Sequence, residues 1–317
     1  MSFTRRRLPR FRRDGARIPP LHLTPRDLEI LRRVGEHRFL RSSHIRRLVG
    51  GSPQRVLRRL QLLYHHGCLE RPRAQIEYYG GIGKEIVYGL ARKGAALLRG
   101  QAEARPRLPI GGAGKGTGRV FLDHALMLAD ILVAIELACR NRPGVRFLSR
   151  ESVPLPTSVS HSREPFHWFV NLSTRHRIGV IPDAVFGLEY ANADGLTETA
   201  WFMVEADRST MPVLRQSLDQ SSYFRKLLAY EATWTQRIHR TRLGLPRFRV
   251  LSVTTSAERA ASLVQACREL ERGHGLFLFT DLASLLAAGD CLTHPWATAG
   301  APDSLMPNGS AEEVSSG

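Results

Sequence analysis

The sequence predicts a two-domain α+β and α/β protein: an N-terminal winged helix-turn-helix, then a mixed sheet flanked by helices. Three observations predict it. Positive charge is concentrated in the first third of the chain. Within that third, three short amphipathic helices are followed by a strand, a glycine cluster and a second strand. Beyond residue 120 the pattern changes to helical and strand segments in the rough order α-β-β-β-α-β-α-β, the signature of a sheet with helices packed against it.

Length and composition allow this. The chain has 317 residues and is 43% hydrophobic, enough for two domains with real cores. It contains no apolar run of the ~18 residues that a membrane span needs. The Arg-rich start lacks the apolar segment of a secretory signal, so a cytoplasmic location is expected. Cys68, Cys139, Cys267 and Cys291 have no metal or redox spacing and read as reduced packing residues. Residues 1–100 carry 23 Lys and Arg against 7 Asp and Glu, whereas residues 101–317 carry 23 against 22. A localised positive field points to a polyanion, most often nucleic acid, ahead of a solvated basic surface or anionic lipid.

Residues 1–22 form a basic arm with too little to bury, and disorder is expected there. Arg5, Arg6 and Arg7 suit phosphates or a minor groove. The winged-helix domain is placed at residues 23–100. Thr24 can cap a helix that Pro25 opens, with Leu28, Leu31 and Val34 at helical spacing. A second helix starts near Ser42 and ends at Gly50-Gly51, and a third starts at Ser52-Pro53. Val56, Leu57, Leu60, Leu63 and Tyr64 make the apolar face of the third, with Gln54, Arg55, Arg58 and Arg59 largely off it. Those four side chains are the candidate contacts to double-stranded DNA: Arg to phosphates or guanine edges, Gln to adenine. Gly80, Gly81 and Gly83 predict the wing turn, with Lys84 beside it as a further DNA contact.

Residues 101–120 read as a Gly-rich linker. "GGAGKGTG" imitates a phosphate-binding loop, but the glycine required six residues before Lys115 is Pro109, and Gly116 stands where the metal-binding Ser or Thr belongs. No nucleotide is expected. The second domain is placed at 121–290 and a disordered tail at 291–317. "HALMLADILVAIELACRN" predicts a long helix, "VRFLSRESV" a strand, and 156–176 a loop or hairpin. "RIGVIPDAVFGLEY" predicts a strand pair or one bent strand, and "TAWFMVEAD" a buried strand ending on Glu205 and Asp207. Antiparallel pairing of the last two would bring Asp183 beside Glu205. Carboxylates converging at a sheet edge suit Mg²⁺ or Mn²⁺, so Asp183, Glu205 and Asp207 are the candidate metal ligands. The competing structural reading is an Asp/Glu–Arg cluster in which Arg208 is the charge partner and Thr210 opens a helix.

The Pro182-Asp183 and Glu205 placement resembles the PD-(D/E)xK nuclease-like fold, also called restriction-endonuclease-like. That resemblance implies a catalytic set of Asp183, Glu205, Asp207 and Lys226. Asp207 stands where the family's motif has lysine, and Lys226, on one helical stripe with Tyr223 and Tyr230, is the substitute. The whole chain from Leu23 to Asp281 resembles the replication-relaxation family of plasmids and mobile elements. The carrying stretches are "LTPRDLEIL", "YGLARKGAALL", "HALMLADILVAIE", "IPDAVF" and "VEADRST", with Lys226 and Tyr230. The resemblance implies plasmid or mobile-element replication, relaxation or mobilisation, with other replication or mobilisation proteins or a second copy of the chain as partners. Two functions stay open: a metal-dependent DNA nickase, and a non-catalytic transcriptional or replication regulator with a degenerate nuclease fold.

Overall fold

The computed structural model describes residues 9–14, 18–78, 85–101, 118–174, 176–192, 194–215 and 220–306. The chain divides into two compact units, Met1–Val133 and Ala134–Gly317.

The first unit opens with helix α1 (Pro25–His37), where Thr24 and Asp27 cap each other reciprocally. Strand β1 (Phe39–Arg41), helix α2 (Ser42–Val49) and helix α3 (Pro53–His65) follow. Gly50 turns the chain between the two helices at φ +63°, a left-handed conformation that side chains disfavour. Strand β2 (Leu69–Glu70), helix α4 (Ala74–Tyr78), strand β3 (Val87–Leu90) and helix α5 (Arg92–Gln101) complete the unit, with the first part of helix α6 (Arg119–Arg140). The strands form one antiparallel sheet in the order β1-β3-β2. Ile30, Leu31, Val34, Ile45, Val56, Leu60 and Leu63 are fully buried beneath it.

Three expectations need correction here. Leu57 is half-exposed and lies with Gln54, Arg55 and Arg58 on the outer face of α3, not on its apolar face. The first strand of the expected wing hairpin is only two residues long and gives way to α4. The basic arm is not free throughout: Arg13 donates to the backbone oxygens of Tyr64 and Leu69, each at 3.1 Å, and Asp14 N donates to His65 Nδ1. The end of a helix leaves carbonyls without intrahelical partners, and an arginine satisfies one of them. Arg5, Arg6, Arg7, Lys84 and the wing glycines lie outside the described residues, as do residues 111–117 of the "GGAGKGTG" loop.

In the second unit, strand β4 (Val145–Leu148), helix α7 (Thr157–Ser160), strand β5 (Trp168–Asn171) and strand β6 (Arg177–Val180) precede two long strands, β7 (Ala184–Ala191) and β8 (Thr197–Asp207). Helices α8 (Tyr223–Thr235) and α9 (Ile238–Thr241), strand β9 (Arg249–Thr254), helix α10 (Ala257–Arg268), strand β10 (Phe277–Asp281) and helix α11 (Leu282–Ala287) complete it. The main sheet is mixed, in the order β10-β9-β8-β7-β4. Strands β8, β9 and β10 run parallel, while β7 is antiparallel to both β8 and β4. Strands β5 and β6 form a separate two-stranded ribbon. "RIGVIPDAVFGLEY" is thus two strands in two different sheets, broken at Ile181-Pro182-Asp183, because proline has no N–H to extend a ladder. One face of the main sheet packs with α8, α10 and the ribbon into a single core that contains Trp168, Val185, Met203, Tyr223, Leu227 and Phe279.

The contact boundary between the units falls inside α6, later than the change of pattern at residue 120 in the sequence. Residues 291–306 are not a disordered tail. Trp296 is fully buried, Ala297 bridges to Phe279 at the sheet edge, and Trp296 bridges to Asp303. The hydrophobic gain from burying an indole and covering an open strand edge holds this segment in place. No helix is long and apolar enough to cross a membrane among the described residues.

Candidate functional site

Asp183 sits one residue before β7. Its N–H continues the β7–β8 ladder by donating to Val204 O at 3.0 Å, and its Oδ2 accepts from Ala206 N at 2.9 Å. The side chain thereby supplies an acceptor to Ala206 N beyond the last residue pair of the β7–β8 ladder. This ties Asp183 to the stretch that carries Glu205.

Side chains alternate along β8, so Trp201, Met203, Glu205 and Asp207 share one face. Trp201 and Met203 belong to the core under α8, and Glu205 is the first charge on that face. Only 2% of Glu205 is exposed. Lys226 Nζ donates to its Oε2 and Tyr230 OH to its Oε1, each at 2.5 Å. The two donors are one turn apart on α8, which Ser222 caps by accepting from Arg225 N. Tyr223, a further turn back, donates to Ser252 Oγ on β9, the residue paired with Glu205 across the β8–β9 ladder.

Electrostatics follow from this packing. Burial pushes the Glu205 carboxyl above the usual glutamate range, against the pull of the Lys226 ammonium, and the nearby Asp183 charge adds to the rise. Burial works against the Lys226 ammonium as well, but the charges of Glu205, Asp183 and Asp207 outweigh it and raise its pKa, so Lys226 stays charged. Burial, then the charge of Glu205, lifts both Tyr223 and Tyr230 well above the ordinary phenol range, and both remain neutral donors.

Asp207 is drawn elsewhere. Its Oδ2 accepts from Arg259 Nε at 2.6 Å, while Arg259 Nη2 also donates to Met211 O. Its Oδ1 accepts from Ser209 N, turning the chain out of the strand. Among the described residues, no three His, Cys, Asp or Glu side chains converge so as to hold a metal ion. The expected three-carboxylate ligand set is therefore not assembled, because arginine on α10 takes the third member. Thr210 is exposed between bends at Ser209 and Met211 and opens no helix; α8 begins at Tyr223. The cations paired with Glu205 and Asp207 are Lys226 of α8 and Arg259 of α10.

A cavity of about 340 Å³ opens beside Glu205. Ser222, Arg225, Lys226 and Tyr230 of the α8 side face Ile178, Val180 and Ile181 of the ribbon side. Its polar wall is cationic, from Arg225 and Lys226, and Glu205 lies at its base.

On α3 of the first unit, Gln54, Arg55 and Arg58 are exposed. Arg59 is not. Its Nε donates to Asp27 Oδ1 at 2.8 Å and its Nη2 to Asp27 and to His22 O, which makes it an internal charge partner. A family model for replication-relaxation proteins matches residues 31–246, more than half of the chain. The chain belongs to the replication-relaxation family. The matched span covers α3, Asp183, Glu205, Lys226 and Tyr230, and membership points to a role in replication or relaxation. No curated protein and no solved structure matches this replication-relaxation chain.

Sequence reading missed Arg259 and Ser252. Arg259 lies 52 residues after its partner, in a helix that reads as an ordinary amphipathic one, and no local spacing signals the pair. Ser252 is a hydroxyl inside the apolar run from Val250 to Val253, and that is the available signal.

Proposed function

We propose that this chain acts on DNA in replication or relaxation. Its first unit is a winged helix that docks duplex DNA through Gln54, Arg55 and Arg58, and its second is a PD-(D/E)xK-like domain built around Asp183, Glu205 and Lys226. The observation that carries this reading is the placement of those three residues. Elements α6, β4, β7, β8, α8 and β9 follow in the order α-β-β-β-α-β, with β9 parallel to β8. Asp183 precedes the second strand, Glu205 lies near the end of the third, and Lys226 reaches Glu205 from the next helix.

In this reading a DNA phosphate enters the cavity on the side of Arg225 and Lys226. The Lys226 ammonium is aligned by Glu205 and offsets negative charge at the phosphoryl group. Tyr230 holds the second Glu205 oxygen and fixes the carboxylate's rotamer. A metal bound by all three carboxylates does not fit, since Arg259 holds Asp207. Asp183 and Glu205 are the two carboxylates that would be left to hold Mg²⁺ or Mn²⁺, which take one or two carboxylates with phosphate oxygens. Such an ion supplies Lewis-acid stabilisation of the phosphoryl oxygen.

The test is nicking of supercoiled plasmid with Mg²⁺ or Mn²⁺, comparing the parent with Asp183→Ala. Nicking by the parent alone supports the reading. DNA binding without nicking in any metal would move the chain to the second reading, a non-catalytic regulator. One observation favours that alternative: both oxygens of Glu205 and both of Asp207 already have donors within the protein.

A further inference from the structure

The β5–β6 ribbon stands apart from the main sheet and supplies one wall of the cavity. Its inner face is apolar. Trp168, Val170, Ile178 and Val180 pack into the core, and Trp168 Nε1 donates to Thr233 Oγ1 of α8 at 2.9 Å. That face explains why the ribbon folds. Its outer face has no such explanation.

Phe169 points outward with 46% of its surface exposed. It pairs in register with Gly179, and a Cβ there would come within 3.4 Å of the Phe169 ring and 3.2 Å of His167 Nε2. The missing side chain lets the ring lie across the neighbouring strand instead of standing off it. Arg177 places its guanidinium 4.4 Å from the ring centroid, and the His167 ring, just before β5, lies 4.9 Å away. The outer face thus gathers two tilted rings and a guanidinium. Residues 161–181 carry three arginines and three histidines against one acid, Glu164, although the second unit's part of the chain is nearly balanced in charge. A greasy protein contact would not need that charge, and a polyanion would.

We infer that the outer face of the β5–β6 ribbon is a docking platform for an unpaired DNA strand. A base stacks on the Phe169 ring, Arg177 meets the adjacent phosphate, and the strand continues past Ile181 into the cavity beside Lys226. This inference rests on the DNA-acting reading above and adds to it the strand form that reaches the site. Bases in a duplex are already stacked and offer no face to Phe169, whereas every unpaired base does.

The test uses the full chain and two fluorescein-labelled ligands, a single-stranded oligonucleotide and its duplex, at one fixed salt concentration. Anisotropy is measured for the parent, Phe169→Ala, Phe169→Leu, Phe169→Trp and Arg177→Ala. Phe169→Ala and Phe169→Leu should weaken single-strand binding by about tenfold, the scale of one lost base stack. Phe169→Trp should retain it, and duplex binding should not change. Arg177→Ala, at an exposed site, carries the test if a Phe169 variant does not fold. Parent-like single-strand affinity in Phe169→Ala and Arg177→Ala would overturn the inference, as would an equal loss for both ligands. A change in self-association with unchanged single-strand affinity also overturns it and assigns the face to a protein contact. A parent that binds duplex but no single strand sinks this inference alone, whereas a parent that binds neither sinks the DNA-acting reading.

Discussion

Arg59→Ala separates two roles that one arginine on α3 can play. Asp27 is fully buried, and its carboxylate accepts from Arg59 Nε and Nη2, from Thr24 N and from Thr24 Oγ1. Arg59 supplies the only positive charge among these donors. Its removal leaves a carboxylate in the interior with two neutral donors. Breaking a buried pair by deleting one member costs about 3–5 kcal/mol. The lower end applies here, since the Arg59 side chain is 24% exposed and Thr24 still donates. A loss of about 3 kcal/mol lowers the melting temperature of a unit of this size by roughly 10 °C. Calorimetry of the full chain should move the transition of the first unit and leave that of the second in place. Arg58→Ala, at an exposed site, should leave both transitions alone and weaken duplex binding. Replacing both partners, Asp27→Asn with Arg59→Met, should recover much of the loss. If Arg59→Ala melts like the parent while duplex affinity drops, Arg59 is a phosphate contact and the internal-pair reasoning is wrong.

Four further outcomes are expected. Burial alone would raise the Asp27 carboxyl, but hydrogen bonds from Arg59 and Thr24 outweigh it and hold it below the usual aspartate range, so its contribution is complete above about pH 4 and lost as pH falls through the lower folded value; acid titration of circular dichroism should show this loss in the parent and not in Asp27→Asn. Arg259→Ala should destabilise the second unit by about 3 kcal/mol or more, read by urea denaturation, because Asp207 is then buried without its cation. Mg²⁺ or Mn²⁺ should raise the melting temperature of the parent and not of Asp183→Ala, since an ion that binds only the folded state stabilises it by mass action. Trp296→Ala should cost about 3–5 kcal/mol and expose the β10 edge, detectable as aggregation on dilution from urea.

Local signals carried much of the fold. The capping box at Thr24 and Asp27, the Gly50-Gly51 turn and the apolar run into Glu205 each depend on residues a few positions apart, and each element forms where those signals place it. Lys226 and Tyr230 share a helical stripe that spacing shows, but the place of Lys226 beside Glu205, 21 residues earlier in the chain, is implied only by the nuclease resemblance. What sequence could not supply were partners chosen by packing. Arg59 and Arg58 are adjacent in the chain and look alike, yet one faces Asp27 and the other solvent. The tail around Trp296 reads as polar and proline-containing, and only the uncovered edge of β10 gives the indole somewhere to go. Arg259 claims Asp207 because β9 runs parallel to β8 and returns α10 to the end of that strand.

That last pairing bears on the chemistry of the site. A lysine at position 207 would project from the same strand as Glu205, two residues on, and its place would be set by the sheet. Here the strand offers Asp207, already held by Arg259, and the cation at Glu205 comes from α8. The position of Lys226 therefore depends on how α8 is seated, which Tyr223 fixes through Ser252 on one side and Thr233 through Trp168 of the ribbon on the other. The ribbon is thus coupled to the charge at the cavity as well as forming its wall. Thr233→Val removes the Trp168 hydrogen bond with little change in volume and touches neither Glu205 nor Lys226. If α8 is seated as described, this variant should weaken any phosphate-dependent activity in proportion to the shift of Lys226, while duplex docking by the first unit stays as it was. An unchanged activity would mean that Glu205 alone holds Lys226 in place, and that the ribbon serves the site only by what it binds.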